Sequence, residues 1–173
     1  MYRLREIERK DIHIINSWRN KKELIDQLGA TFRYINIDVD VSWYDNYMNN
    51  RNSNVRCVII EEDCDDIIGL VSLTGINQLN QSAEFHIMIG DGDNQGKGAG
   101  YFAVNEMLKH AFNNLNLHRI ELTVLVSNER AQKLYEKVGF IKEGMLRQAY
   151  YKNGKFVDVY SYAILKEEYE ANS

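Results

Sequence analysis

The apolar positions of this chain change period several times, and each change predicts an element. Residues 2–6 alternate and read as a first strand. From 9 to 28 the spacing is helical: Ile12, Ile15 and Trp18 recur on one face, then Leu24, Ile25 and Leu28 resume it. One or two helices are expected there, with Gly29 as the stop. Residues 30–40 read as a loop, and a short helix near 41–50 carries Trp43, Tyr44 and Tyr47 on one stripe. Two strands, roughly 55–61 and 67–74, flank the acidic turn Glu61-Glu62-Asp63-Cys64-Asp65-Asp66. The next strand, 82–89, sends Ala83, Phe85, Ile87 and Ile89 to one face and Glu84, His86 and Met88 to the other. That mixed character suits a central strand with a helix on one side and a ligand cleft on the other.

Helix 98–113 is expected to turn Tyr101, Val104, Leu108, Ala111 and Phe112 inward. A strand at 119–126 follows. Strand, glycine-rich turn, helix, strand is one βαβ unit, so strands 82–89 and 119–126 should be parallel neighbours. Ser127 or Asn128 caps the next helix and Gly139 ends it. Asn153-Gly154 between two aromatic-rich runs, 140–151 and 155–165, predicts a hairpin. No linker or repeat divides the chain. The expectation is one α+β domain over residues 1–173, with a mixed and mostly antiparallel sheet.

Charge and composition narrow the partners. Twenty-one basic residues against 25 acidic give a net charge of −4 with no basic block, so nucleic acid is not expected. No apolar run approaches the ~20 residues of a membrane helix. The N-terminus has no signal-like core, and Cys57 and Cys64 make no disulfide framework, so the cytoplasm is the expected compartment. His13, His86, His110 and His118 lack ligand spacing, so no metal is expected. No Gly-x-Ser-x-Gly elbow occurs, which favours chemistry without a covalent enzyme intermediate.

The candidate chemistry gathers around three features. Gln95-Gly96-Lys97-Gly98-Ala99-Gly100 opens a helix, where free backbone N–H groups can meet a phosphate. It is neither a dinucleotide fingerprint, since Tyr101 stands where the last glycine belongs, nor a P-loop. A tight turn is the plainer reading. Tyr135 shares a helix face with Ala131, Leu134 and Val138, as a core tyrosine or an acid would. Glu84 is a base or half of a cross-strand ion pair, and His86 on the same face is a second base.

Order and spacing together resemble the GNAT acetyltransferases. Gln95, Gly98 and Gly100 meet the pattern [Gln/Arg]-x-x-Gly-x-[Gly/Ala]. Asn128, Ala131, Leu134, Tyr135, Gly139 and Phe140 meet Asn-x-x-Ala-x-x-Leu-Tyr-x-x-x-Gly-Phe. The resemblance is specific over about 68–165, the acetyl-CoA-binding core, and leaves 1–55 as mainly the acceptor side. It implies direct acetyl transfer from acetyl-CoA to a primary amine, and a V-shaped splay of the sheet that Gly90-Asp91-Gly92-Asp93 would permit. It also implies that the backbone of Ile87, Met88 and Ile89 pairs with pantetheine, that residues Gln95 to Tyr101 hold the pyrophosphate, and that Asn128 touches the pantetheine arm. Tyr135 would then meet the departing thiolate. Ala83-Glu84-Phe85 resembles the strand of polyamine acetyltransferases, with Glu84 helping to deprotonate the amine.

Within the superfamily the chain is similar to the branch holding spermidine, ribosomal-protein alanine and aminosugar-nucleotide acetyltransferases. Trp18-Arg19-Asn20 and Trp43-Tyr44 look like the last two and are candidate acceptor contacts, with His86. Phe32-Arg33-Tyr34 stands where bacterial spermidine enzymes carry an acidic pair. Acceptors implied are a polyamine, an aminosugar or a protein N-terminus. The alternative is a non-catalytic acyl-CoA-binding or sensing domain. The aromatic hairpin around 150–160 is a candidate homo-oligomer surface.

Overall fold

The computed structural model describes residues 1–90 and 95–171. One seven-stranded sheet runs through it in the order β1-β2-β3-β4-β5-β7-β6. The strands are β1 (Tyr2–Glu6), β2 (Val55–Glu61), β3 (Asp66–Asn77), β4 (Ser82–Ile89), β5 (Arg119–Leu125), β6 (Ile141–Lys152) and β7 (Lys155–Leu165). The helices are α1 (Ile12–Arg19), α2 (Lys22–Asp26), α3 (Ile37–Asn49), α4 (Ala99–Lys109), α5 (Glu129–Val138) and α6 (Lys166–Ala171). All pairings are antiparallel except β4 with β5. The α+β architecture with one central parallel βαβ unit is therefore present.

The alternation read along β4 separates two cores. Ala83 and Phe85 pack under α4 and α5 with Val104, Leu108, Phe112 and Tyr135. Met88, on the other face, packs with Ile12, Ile15, Trp18 and Tyr47 of α1 and α3. Helices α4 and α5 thus cover one face of the sheet and α1 and α3 the other, as the layer rule requires.

Some expectations about the helices change. The loop before α3 is shorter than its sequence suggests, because Asn36 caps the helix by accepting the Asp38 N–H at 2.8 Å. Asp38 and Asp40 then fall in the first turn, where the helix dipole favours them. Tyr101, expected inward, is 42% exposed, with the Lys137 ammonium 4.7 Å from its ring centroid. Gly29 lies three residues past the end of α2 rather than ending it. A Cβ there would fall 2.7 Å from the Tyr150 ring, so glycine lets this loop touch the β6–β7 hairpin. The hairpin turn is as expected, with Asn153 at φ 50° and Gly154 at φ 84°.

Candidate active site

The parallel pairing of β4 with β5 covers only three residue pairs, Ser82 with Arg119, Ala83 with Ile120 and Glu84 with Glu121. Beyond Glu84 the strands part. Phe85–Ile89 keep their β3 partners on one edge and have none in β5 on the other. The splay therefore opens five residues ahead of Gly90, not at Gly90-Asp91-Gly92-Asp93. Asp91, Gly92 and Asp93 lie outside the described residues. Gly90 makes room for Trp18 instead, since a Cβ there would fall 1.9 Å from the Trp18 ring.

A cavity of about 670 Å³ occupies the gap. Ile87, Met88 and Ile89 form one wall and Thr123, Val124 and Leu125 the other. Backbone polar groups on the open β4 edge need partners that the sheet does not supply there, and an extended ligand with amides could. Because the gap passes between strands, it connects the two faces of the sheet.

On the α5 face the cavity meets the glycine turn. Gln95, Gly96, Gly98, Gly100 and Tyr101 line it. Gly98 is the N-cap of α4 at φ 95°, a left-handed conformation that glycine adopts without strain. Gly100 instead serves packing, since a Cβ there would lie 3.2 Å from Leu134 of α5. Lys97 and Ala99 do not line the cavity. The Lys97 carbonyl accepts from the Tyr2 hydroxyl at 3.1 Å, and Ala99 is buried against the core. Arg130, which no sequence motif marks, donates to Gln95 Oε1 at 2.9 Å and adds a cation beside the turn.

Asn128 and Tyr135 complete that side. Asn128 Oδ1 accepts the Ala131 N–H at 3.1 Å, capping α5, while its Nδ2 donates to the Gln27 carbonyl at 3.0 Å. Its side-chain amide is thus already engaged at both ends. Tyr135 packs edge-on against Phe85, with centroids 6.3 Å apart. It is buried but lines the cavity, and among the described residues its hydroxyl has no hydrogen-bond partner. Burial pushes the phenol well above its ordinary pKa, so it stays protonated at any working pH and can donate.

On the opposite face stand Glu84 and His86. Their side chains approach to 3.7 Å, and His86 Nε2 lies 2.9 Å from Thr74 Oγ1. About half of the His86 side chain is accessible, and the rest is buried in the cavity wall. That desolvation lowers its pKa, Arg56 lowers it further, and Glu84 opposes both. The imidazole is therefore neutral near pH 7.

The acceptor contacts divide. Arg19 and Trp43 line the cavity. Trp18 and Asn20 do not. Trp18 is 1% exposed in the α1 core. Asn20 pins the loop before α3, donating to the Ile35 carbonyl at 2.9 Å and accepting the Ile35 N–H at 2.9 Å. The tryptophan-arginine-asparagine run is one helical end, and only its middle residue faces the site. Arg19 pairs with Asp40, which is fully buried and also accepts from Asn16 Nδ2 at 2.7 Å.

Residues that carry no motif form the rest of this end. Arg56, Ser72, Thr123 and Tyr150 line the cavity, the last two joined at 2.7 Å. Arg56 has a readable signal: it shares a strand face with buried Val58, an unusual place for a charge. The loop over the cavity is held by Lys152, whose ammonium donates to the carbonyls of Ile25, Leu28 and Ala30 at 2.8, 2.7 and 2.6 Å. No window of sequence shows that clamp.

Among the described residues no group of three or more His, Cys, Asp or Glu is arranged to hold a metal ion. Among them, too, no helix is long and apolar enough to cross a membrane.

The model of the acetyltransferase (GNAT) domain family matches residues 2–141. The chain belongs to the GNAT acetyltransferase family. It is similar to the spermidine N(1)-acetyltransferase of Vibrio cholerae serotype O1, 34% identical over 166 residues that cover 96% of this chain and 94% of that protein. The crystal structure of the Vibrio cholerae spermidine N-acetyltransferase in complex with CoA and spermine superposes with a TM-score of 0.91, covering 98% of each chain at 34% identity. A dodecameric structure of that enzyme in an intermediate state superposes at 0.85, at 33% identity over 99% of this chain and 98% of that one. This GNAT domain is accordingly an acetyl-CoA-dependent amine N-acetyltransferase, and the binding-only alternative is not favoured.

Proposed function

We propose that the acetyl thioester lies in the β4–β5 gap and that a primary amine reaches it from the α1–α3 face. One observation carries this reading: a single cavity holds Glu84 on one face of the sheet and Tyr135 on the other. The amine nitrogen attacks the thioester carbonyl. Amines with pKa near ~10.4 arrive protonated, so the proton leaves first, to Glu84 or through neutral His86. Backbone N–H groups of Ile87 and Ile89 on the open edge stabilise the oxyanion. The C–S bond then breaks as the Tyr135 hydroxyl donates its proton to the departing thiolate, and the excess proton that the new N–C bond leaves on nitrogen is shed through water and restores the phenol.

The pyrophosphate sits at the α4 N-terminus, with Arg130 beside it. Asn128 contributes by capping α5 and fixing the Gln27 loop, rather than by a free amide. Similarity to the Vibrio enzyme supports a small-molecule amine over a protein N-terminus. Self-association uses β6, where Ile141, Met145 and Leu146 are exposed beside Tyr151 and Phe156, and the dodecameric relative supports it. The free thiols Cys57 and Cys64 suit a reducing compartment such as the cytoplasm.

The test is kinetic. Free thiol release from acetyl-CoA should fall by ~10²–10⁴ in kcat for Tyr135→Phe, and by ~10² or more for Glu84→Gln. Acetyl-CoA binding by calorimetry reports whether each variant is folded. Unchanged rates would remove these residues from the mechanism.

A further inference from the structure

The acceptor end of the cleft holds a positive charge that nothing among the described residues neutralises. Register pairs Arg56 with Ser72 and Ser72 with His86, so the three side chains leave the same face in a row across β2, β3 and β4. Arg19 and Trp43 close over the row. Arg19 is spoken for by Asp40. Arg56 is not. Its guanidinium lies 4.8 Å from the Trp43 ring centroid and 5.9 Å from that of Tyr47. Nη1 reaches Ser72 Oγ only at 3.5 Å. Nε is buried and has no hydrogen-bond partner among the described residues. Burial lowers the pKa of this guanidinium, and the neighbouring Arg19 charge adds to the effect.

An unpaired charge in a partly buried position is costly, and one that lines a cavity is a recognition group for a counter-ion. Among the described lining residues Glu84 is the only carboxylate, and it faces His86 on β4. An acceptor with several ammonium groups would bring one of them against Arg56, where like charges repel. An oxyanion would meet the guanidinium fork in its preferred geometry.

We propose that the amine acetylated by this enzyme also carries an anionic group, a carboxylate or a phosphate, seated on Arg56 between Trp43 and Ser72. This rests on the transfer reading above, in which the amine itself lies at Glu84. Arg56 on β2 and Glu84 on β4 are two strand spacings apart and two residues out of register, so their backbones are separated by about 12 Å. The acceptor is compact, and Arg56 selects it.

Matched acceptors that differ in charge test this by thiol release from acetyl-CoA. Cadaverine is compared with 6-aminohexanoate, and glucosamine with glucosamine 6-phosphate. The second member of each pair tells a carboxylate from a phosphate. At least one anionic member should exceed its partner about 10-fold or more in kcat/KM. Arg56→Gln should raise KM for that acceptor about 10- to 100-fold and erase the preference, with Arg56→Lys recovering part of it. The wild-type ratio needs no variant and decides the matter even if Arg56→Gln does not fold. Cationic or neutral members turning over as well as the anionic ones would overturn the proposal, as would a preference that survives Arg56→Gln. Spermidine preferred over every anionic acceptor would overturn it while leaving the transfer reading intact. Silence with all acceptors, acetyl-CoA being bound, would overturn the transfer reading and this inference with it.

Discussion

The two halves of the cleft are built from different materials. The half proposed to hold the donor, β4 to α5, relies on backbone: a left-handed Gly98, an asparagine cap and a strand edge that loses its partner after Glu84. The half proposed to hold the acceptor, α1 to α3 with the loop over the cavity, relies on buried polar side chains that meet partners distant in sequence. Asp40 gathers Asn16 and Arg19, and Lys152 reaches back 127 residues to Ile25. A site that binds one invariant co-substrate can be made from local conformation. The half proposed to tell acceptors apart is made from long-range charge pairing.

Breaking the long-range clamp should separate the halves most sharply. Lys152→Met strands three carbonyls on the loop that carries Ile25, Leu28 and Ala30. Each loses a charge-assisted bond worth about 1.5–3 kcal/mol in place. The expected result is an acceptor KM raised ~10-fold or more, with the acetyl-CoA KM changed far less, read from two-substrate kinetics. Equal effects on both would mean that the loop serves both halves.

Asn128→Ala touches both halves at once. It removes the α5 cap and the tether to Gln27, so about 1 kcal/mol of stability should be lost in denaturant unfolding. Both Michaelis constants should rise modestly. A change confined to acetyl-CoA would make Asn128 a donor residue alone.

His86→Gln should give the smallest effect, visible only in a pH profile. The acceptor amine must lose a proton, so log kcat/KM rises one unit per pH unit below the amine pKa. His86 has a pKa below its ordinary 6.5, and is neutral above it. As pH falls through that lowered value the imidazole gains a proton and pairs with Glu84, steepening the acid limb toward two. In the variant the slope should stay at one. A limb that remains steep would assign the second proton elsewhere.

The difference between the halves also explains what the sequence discloses. The α5 cap at Asn128, the turn at Asn153-Gly154 and the parallel partnership of β4 with β5 all follow from short windows or from chirality, and are legible. The position of the splay is not. Glycines after β4 draw attention to the strand end, whereas pairing stops at Glu84 because the strands diverge over their whole upper length. Trp18 and Asn20 look like acceptor contacts because they flank Arg19, but helical geometry turns the three in different directions. Arg56 and Lys152 escape a reading by motif since their meaning lies in what surrounds them after folding. Alternation with Val58 marks Arg56 as an unusual place for a charge, but its role, like that of Lys152 before the hairpin turn, shows only once the cavity and the loop are in place.

The central claim is that donor and acceptor meet through the gap between β4 and β5. A crystal structure of the complex with acetyl-CoA tests it most directly. The account predicts pantetheine along the open edge of Ile87 to Ile89, the pyrophosphate at the α4 N-terminus, and the sulfur within hydrogen-bonding reach of the Tyr135 hydroxyl. Acetyl-CoA bound outside the gap, or with its sulfur remote from Tyr135, would contradict it.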